Sequence, residues 1–304
     1  MKEKYLTIEL LDIKEKEKYS RKYIDQNNKL KFLRRLFANK ASIFGASVIG
    51  IFIITALLAP SIAPFEYDDM RLADMFKSPH FRNLFGTDEF GRDIFSRIIY
   101  GARVSLKVSF IAVGISMVIG TFLGAIAGYF GGIIDYIISG ITDIVWSFPI
   151  TLLAIALAAA LGPSLTNLIL AMALVGWSGF ARIVRGEFIA LREAEFVIAA
   201  KAIGARHITI IFKHILLNSL APIIVLATME IPKAIIIESS LSFLGLGAQP
   251  PTPSWGSIMN GGRSYIMEAP WITFFPGIII LLLVLGFNLF GDTLRDTLDP
   301  RLKD

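Results

Sequence analysis

The sequence predicts an all-α, polytopic membrane protein with six transmembrane helices. Of its 304 residues, 54% are hydrophobic and only 18% are charged, whereas an average soluble domain has about a quarter charged residues. The apolar residues also gather in long uncharged runs, which is typical of chains that cross a bilayer several times. This composition excludes a soluble enzyme built around a water-facing core. The absence of cysteine excludes disulfides and thiolate metal sites.

Six runs are long and apolar enough to cross a bilayer, which takes roughly 20 residues of helix. They lie near residues 43–63, 108–130, 137–161, 165–183 and 219–242, and between Glu268 and Asp292. The third and fourth spans come from one long apolar stretch, which exceeds a single crossing. We divide it at Gly162-Pro163-Ser164, because adjacent glycine and proline favour a turn.

The distribution of positive charge predicts the orientation of these spans. Of the 30 Lys and Arg residues, 21 fall in segments that six spans bring to one side of the membrane, and 7 fall on the other side. The remaining two, Lys107 and Lys233, lie inside spans. Positive residues collect in the cytoplasm, so we expect both termini to be cytoplasmic. The first charges are not followed by the short apolar segment of a signal peptide, and we expect the first span to stay as an anchor.

The spans divide the chain into five parts. These are a basic N-terminal arm over residues 1–42, a first transmembrane helix over 43–64, an extracytoplasmic loop over 65–103, a five-helix core over 104–292 and a cytoplasmic tail over 293–304. In the arm, basic residues between Lys29 and Lys40 alternate with leucine and phenylalanine. This pattern favours an amphipathic helix that lies on anionic membrane lipid and sets the topology, rather than a segment that binds nucleic acid.

The loop between the fourth and fifth spans, at about residues 190–217, has the most informative pattern in the chain. Its composition predicts a helix from Glu193 to Ile203 and a second short helix from Ile208 to Leu217. Gly204 joins them, because glycine permits a left-handed turn. Alanines at positions 199, 200 and 202 let another surface approach closely. From composition alone, the loop either contacts a partner protein or rests on lipid headgroups.

This loop resembles the EAA loop of binding-protein-dependent ABC importer permeases. The resemblance rests on Ala199-Ala200-Lys201-Ala202-Ile203-Gly204-Ala205, preceded by Glu195-Phe196-Val197. In that family the loop forms a coupling helix that docks into a cleft on a cytoplasmic ATPase subunit. The resemblance therefore implies a coupling role for Glu195, Ala199, Ala200, Gly204 and Ala205. Two positions depart from the family pattern, since Ile198 replaces a glutamate and Leu217 replaces a proline.

Further segments resemble the C-type permease subunit of dipeptide and oligopeptide importers. They are LFGTDEFGRD over residues 84–93, ESSLSFLGLG and PPTPSWG within residues 238–256, and NLFGD and LDPR within residues 288–301. Nickel and glutathione importers share much of this pattern, so dipeptides, oligopeptides, a nickel chelate and glutathione stay open as substrates. The resemblance implies the fold of a type I ABC importer permease, in which the helix bundle alternates between outward-open and inward-open states.

The same resemblance implies the partners and the location. A homologous B-type permease subunit, two cytoplasmic ATPase subunits and an extracytoplasmic substrate-binding protein would complete the importer in the inner membrane of a bacterial or archaeal cell. ATP and Mg²⁺ would bind on the ATPase subunits, because this chain has no G-x-x-x-x-G-K-[ST] phosphate loop. The histidines His80, His207 and His214 form no metal-binding pattern. We therefore expect no cofactor and no enzymatic activity in this chain.

Three acidic or basic residues lie inside the predicted fifth span. Glu230 and Lys233 are neighbours on one helix face, and Pro232 between them removes a backbone hydrogen bond. A charge inside the bilayer normally faces a cavity or a partner. Two interpretations stay open: this face lines and gates the translocation path, or the two residues form a structural pair against the sister subunit. We expect Glu238 nearer the outer end of the path.

Gly120, Gly124 and Gly128 form a stripe of small residues on the predicted second span. Such a stripe lets helix backbones approach closely, so we expect these glycines to serve helix packing rather than ligand binding.

Two other classes of protein remain as alternatives. A secondary transporter would show two related halves with interrupted helices, and no internal repeat is visible in the six spans. A membrane scaffold or channel subunit would bind a partner through the loop at 190–217 without coupling to ATP. A loop mutant that keeps its place in the membrane but loses transport would distinguish a coupled importer from both.

Overall fold

A computed structural model describes residues 34–298 of the chain. The predictions for the arm up to residue 33 and for the last six residues lie outside this range. Within it, β-structure is limited to two isolated bridges, His80 with Asn83 and Thr87 with Asp93. The helices are α1 (Lys40–Leu57), α2 (Ala59–Ile62), α3 (Ile94–Phe130), α4 (Gly132–Trp146), α5 (Ile150–Leu161), α6 (Leu165–Arg192), α7 (Glu195–Ala202), α8 (His207–Thr209), α9 (Leu216–Phe243), α10 (Trp255–Gly262) and α11 (Trp271–Leu298).

Five helices of the described chain are long and apolar enough to span a membrane, and the bent pair α4–α5 brings the number to six. Four of the spans are α1, α3, α6 and α11. The fifth is a continuous helix from His207 to Phe243, in which a π-helical turn (Ile210–Ile215) joins α8 to α9. The all-α class and the predicted order of the spans therefore agree with the fold. The second and fifth helices start earlier than the predicted spans, and the third span is bent.

The bundle has two ends, which we call the loop end and the lobe end. The loop end carries residues 193–206, between α6 and α8, together with the start of α1. There the side-chain amide of Asn39 donates to Oγ1 of Thr293, near the end of α11 (3.5 Å). The lobe end carries residues 63–93, which we call the lobe, and residues 244–270. The first and last described helices thus share the loop end, as six crossings require.

α3 and α6 form the most extensive helix contact of the bundle. The glycine stripe of α3 lies directly against the backbone of α6. A Cβ atom added at Gly120, Gly124 or Gly128 would lie 2.4, 2.5 or 2.6 Å from the carbonyl oxygen of Trp177, Ala181 or Arg185, respectively. Only glycine permits this approach. Because the contacts advance in the same direction along both helices, α3 and α6 are parallel, and α4–α5 crosses back between them.

The third span is not the single straight helix that the sequence predicted over residues 137–161. α4 and α5 meet at 90° across residues 147–149. Pro149 has no N–H to donate, and it disfavours helical backbone at the residue before it, so the helix breaks there. Because the residues on both sides of Pro149 are apolar, hydropathy alone does not reveal this break.

The second span begins earlier than predicted, and the lobe is correspondingly shorter. α3 starts at Ile94 rather than near residue 108, where the carboxylate of Asp93 accepts from the backbone N–H of Ser96 (2.7 Å). Arg103, which the sequence assigned to a loop, therefore lies on a helix. Its guanidinium donates to the carbonyl oxygens of Ala56 and Leu57 (2.6 and 3.0 Å), which the end of α1 leaves without helical donors.

The lobe is organised around the buried carboxylate of Asp88. Its Oδ1 accepts from the backbone N–H groups of Phe90 and Arg92 (2.9 Å each), and its Oδ2 accepts from Nε of Arg92 (2.6 Å). Gly91 has a φ of +70°, and a Cβ there would lie 1.8 Å from the carbonyl oxygen of Arg71. Close backbone contact of this kind makes the lobe compact.

Electrostatic contacts also order the surface of the lobe. The Lys77 ammonium lies 2.5 Å from the carboxylate of Asp74. This hydrogen bond holds the pKa of the Asp74 carboxyl below its ordinary value.

Candidate coupling and translocation sites

α7 forms the exposed tip of the loop end. Glu195 lies in its first turn and Lys201 in its last, as the helix dipole favours. The helix ends just before Gly204, whose φ of +77° is the left-handed conformation that glycine readily adopts. The predicted helix–glycine–helix arrangement is present, with one difference. The second helix is not a separate short element but the first part of the long helix that includes α9.

Apolar side chains of the loop are divided between the inside and the outside of the protein. Val197 and Ala200 are buried, in the same core cluster as Phe188 of α6 and Ile210 of the π-helical turn. Four other apolar side chains are exposed, and we call them the loop patch: Phe196, Ile198, Ile203 and Ile208. Ile203 is 86% exposed. Exposed apolar patches of this kind mark contact surfaces for proteins or membranes.

The structure separates the residues that the sequence predicted for coupling. Glu195, Ala199 and Gly204 are exposed and Ala205 is half-buried, but Ala200 faces the chain's own core. The small side chain of Ala200 thus serves the packing of α7 against the bundle rather than an outward surface. The loop patch was missed because the resemblance to the EAA loop rests on alanine and glycine positions and directed attention away from the isoleucines. Its signal in the sequence is a set of isoleucines among charged residues, outside any span.

Two hydrogen bonds join the loop end to the last turn of α3. The hydroxyl of Tyr129 hydrogen-bonds with Nδ1 of His207, at the start of α8 (2.7 Å). Nη1 of Arg192, at the end of α6, donates to the carbonyl oxygen of Gly128 (3.3 Å). These two contacts connect the loop end directly to α3.

A cavity of about 370 Å³ lies near the middle of the bundle, between α3, α5, α6 and α9. Its walls are mostly apolar and include the hydroxyl groups of Ser116, Thr151 and Ser178. The residues on either side of the α4–α5 break, Trp146 and Ile150, also line it. We call this space the central cavity.

Glu230 and Lys233 are the charged side chains that line the central cavity within the described structure. Nζ of Lys233 donates to Oε1 of Glu230 (2.7 Å), and the two side chains are 64% and 27% exposed, respectively. The pair lies halfway along α9, next to the buried Pro232. The structure thus brings together two of the three residues predicted for the translocation path, and it leaves both accessible.

Glu238 lies apart from this pair and is fully buried at the lobe end of α9. Its carboxyl accepts hydrogen bonds from the hydroxyls of Ser242 (2.8 Å) and Ser239 (3.3 Å). The hydroxyls of Ser105 on α3 and Ser254 before α10 also face it. Glu238 therefore joins three segments of the bundle. Glu238 was predicted near the outer end of the translocation path. Its side chain points into the protein and lines neither the central cavity nor the cavity at the lobe end.

Sequence reasoning also missed a charged cavity of about 550 Å³ at the lobe end. Asp88, Glu89, Arg92 and Arg97 line it, opposite the turn at residues 248–252. Arg97 is only 6% exposed, and its Nη1 lies 3.4 Å from Oδ2 of Asp88. The signal was the density of charge in residues 84–97, which the sequence assigned to a loop of unknown fold.

The described residues contain no cluster of three or more His, Asp or Glu side chains that could hold a metal ion. Membrane-spanning helices around a central cavity that carries one ion pair, together with an exposed apolar patch on a projecting loop, fit a multi-pass transport subunit. The chain belongs to the family of binding-protein-dependent transport system inner membrane components, whose family model matches residues 120–304. Residues 31–79 match the N-terminal transmembrane domain of oligopeptide transport permease C.

Relatives and a solved structure agree with this family. The dipeptide transport system permease protein DppC of Alkalihalophilus pseudofirmus is 51% identical over 270 residues, which cover 89% of each chain. The glutathione transport system permease protein GsiD of Pectobacterium atrosepticum is 44% identical over 273 residues, or 90% of each chain. The inward-facing MetNI methionine ABC transporter has a chain of the same fold, with a TM-score of 0.55 and 19% identity over 68% of this chain and 98% of that one.

The chain therefore has the type I ABC importer permease fold and is a multi-pass permease of the inner membrane. It is a transporter subunit rather than an enzyme. As a member of this family, it works with ATPase subunits and a substrate-binding protein.

Proposed function

We propose that this permease imports dipeptides or oligopeptides and that the loop patch on α7 and α8 couples it to ATP hydrolysis. The observation that carries the coupling role is the exposed apolar surface around Ile203, at the end of a helix whose inner face packs on the core of the bundle. The peptide substrate is supported by the 51% identity to a dipeptide transport permease over most of the chain.

The loop end faces the cytoplasm in this proposal, because the predicted spans assign 21 of the 30 Lys and Arg residues to the side that carries the loop at 190–217. Both termini are then cytoplasmic, and the lobe faces the substrate-binding protein. A bacterial or archaeal host is compatible with the same charge distribution.

The full importer would contain this chain, a homologous B-type permease subunit, two cytoplasmic ATPase subunits and the binding protein. The coupling loop, with Glu195, Ala199, Gly204 and Ala205 around the loop patch, would dock on one ATPase subunit. Closure of the ATPase dimer on ATP would displace the loop. The contacts of Tyr129 and Arg192 at the end of α3 would carry that displacement into the bundle.

The translocation path would pass the central cavity, with Glu230 and Lys233 on its wall. Their position on the wall of the central cavity supports this assignment. Glu238 would support the outer part of the path indirectly by fixing the lobe end of α9. The glycine stripe of α3 would keep α3 and α6 together while the rest of the bundle moves.

Glutathione is a second candidate substrate, because a glutathione transport permease is 44% identical over 90% of the chain. Uptake of labelled Ala-Ala and labelled glutathione by host cells with and without this chain distinguishes the candidates. We expect deletion to abolish Ala-Ala uptake and a plasmid copy to restore it. Loss of glutathione uptake alone would favour the second candidate, and no change in either uptake would refute import of dipeptides and of glutathione.

A further inference from the structure

The central cavity contains a paired positive and negative charge but no net charge. We propose that it is a transit site for zwitterionic peptides, in which Glu230 binds the peptide ammonium group and Lys233 binds the peptide carboxylate. This inference rests on the proposed function and adds the chemistry by which the membrane subunit recognises its substrate.

The two charges are available to a ligand. Nζ of Lys233 and Oε1 of Glu230 are 2.7 Å apart, yet about two-thirds of the Lys233 side chain and a quarter of the Glu230 side chain remain exposed (64% and 27%). Each can therefore exchange its partner without first leaving a protein core. No other acidic or basic side chain of the described structure lines this cavity to compete for the ligand.

Exchange of partners explains how a charged peptide could pass without being trapped. A zwitterion brings one ammonium and one carboxylate, so one ion pair of the protein is replaced by two ion pairs with the peptide. The charges stay balanced at every stage, which limits the cost of charge inside the bilayer. When the peptide leaves, Glu230 and Lys233 pair again. A lone cation or anion at this position would instead hold one end of the peptide and oppose its release.

The rest of the cavity fits the uncharged part of such a ligand. A volume of about 370 Å³ with mostly apolar walls accommodates a small peptide and varied side chains. The exposed hydroxyl of Thr151 offers a hydrogen bond to a peptide group. The hydroxyls of Ser116 and Ser178 are buried and already donate to backbone carbonyl oxygens of α6. The 90° break between α4 and α5 opens at this wall, as broken helices commonly do at transport sites near the middle of the bilayer.

Two neutral variants test the proposal in the complete importer. In Glu230→Gln and Lys233→Met cells, we expect the maximum rate of Ala-Ala uptake to fall about tenfold, because one end of the peptide loses its partner. The KM should stay close to the wild-type value, since the binding protein, which is unchanged, captures the substrate. Lys107→Gln, which removes an exposed charge from α3 outside the central cavity, is the matched control and should transport normally.

A second measurement detects contact between peptides and the importer complex in the absence of the binding protein. Saturation-transfer NMR of the purified importer complex should detect contact with Ala-Ala, weaker contact with Ala-Ala amide and with N-acetyl-Ala-Ala, and no contact above background in either variant. If the ion pair is purely structural, both variants should show the same dependence of the NMR signal on peptide charge as the wild type.

The failures of the two proposals are distinguishable. If wild-type cells take up no Ala-Ala, the proposed function is wrong. If wild-type cells take it up, and both variants match the wild type in maximum rate and in NMR signal, only the transit site is wrong.

Discussion

At the scale of single residues, three glycines determine how closely the main helix pair can pack. The hypothetical Cβ of Gly124 would lie 2.5 Å from the carbonyl oxygen of Ala181, which cannot move without displacing α6. By contrast, Gly114 on the same helix has no atom within 4 Å of such a Cβ. Both positions are helical, and they differ only in whether an added methyl group would contact another helix.

This contrast makes a stability prediction. Gly124→Ala should lower the melting temperature of the purified importer complex by several degrees, because overpacking between helices costs about 1–3 kcal/mol. Gly114→Ala should leave the melting temperature unchanged or raise it slightly, since alanine favours helix. Equal melting temperatures for the two variants, measured by intrinsic fluorescence in the same detergent, would contradict the packing shown for α3 and α6.

Residue-scale properties divide into those that the sequence revealed and those that it could not. The glycine stripe was readable because its spacing matches one face of a helix. The burial of Ala200 and Glu238 was not readable. Whether an alanine faces outward depends on how α7 lies on α6, and whether a carboxyl is buried depends on serines that are distant in the chain, such as Ser105.

At the scale of elements, the loop end combines an inner face that holds α7 to the bundle with an outer face that is free to bind a partner. Val197 and Ala200 form the inner face, and the loop patch forms the outer one. Substitutions on the two faces should therefore have different consequences, although the residues lie within one turn or two of each other.

The prediction compares Ile203→Glu with Ala200→Glu. Ile203→Glu should abolish peptide uptake and reduce the recovery of ATPase subunits with the tagged chain at least about tenfold, because a charge replaces an apolar contact. Its melting temperature, measured on the purified chain, should match the wild type. Ala200→Glu should lower the melting temperature as well, since it buries a charge without a partner.

The comparison has a direct control in Lys201→Gln, an exposed position on α7 outside the loop patch. It should keep both uptake and ATPase recovery. If Ile203→Glu keeps full ATPase recovery, the loop patch is not the docking surface.

Element boundaries explain the two errors in reading the spans. The start of α3 was missed because the second span was predicted to begin after Lys107. The helix instead extends toward the lobe end through Arg103, which caps α1, and through the buried Arg97. The break at Pro149 was missed because hydropathy stays high on both sides. The first error depends on a contact between residues remote in sequence, and the second depends on the backbone restriction at proline. Composition reveals neither.

At the scale of the whole molecule, the number and order of the spans follow from hydropathy, because the bilayer imposes a fixed length on every crossing. Positive charge predicts their orientation. The arrangement of helices around the central cavity does not follow from these rules. It depends on the parallel contact of α3 with α6 and on the bend of α4–α5. The sequence therefore identified Glu230 and Lys233 as residues of interest, but not the walls that surround them.

The molecule as a whole has a direct line of contacts between its loop end and its middle. The loop end is bonded to α3 through Tyr129 and Arg192, and α3 in turn packs on α6 and lines the central cavity. This continuity is what an ATP-driven permease requires, because the ATPase subunits act at one end and the substrate passes the middle.

The central claim is that this chain is the membrane subunit of an importer assembled on its loop end. Affinity purification of the tagged chain from its native membrane in mild detergent, followed by mass spectrometry, tests it most directly. We expect a second permease and ATPase subunits to be recovered with the wild-type chain, and the ATPase subunits to be lost with Ile203→Glu. Recovery of well-folded wild-type chain alone would contradict it and would favour a transporter or scaffold that works without ATP.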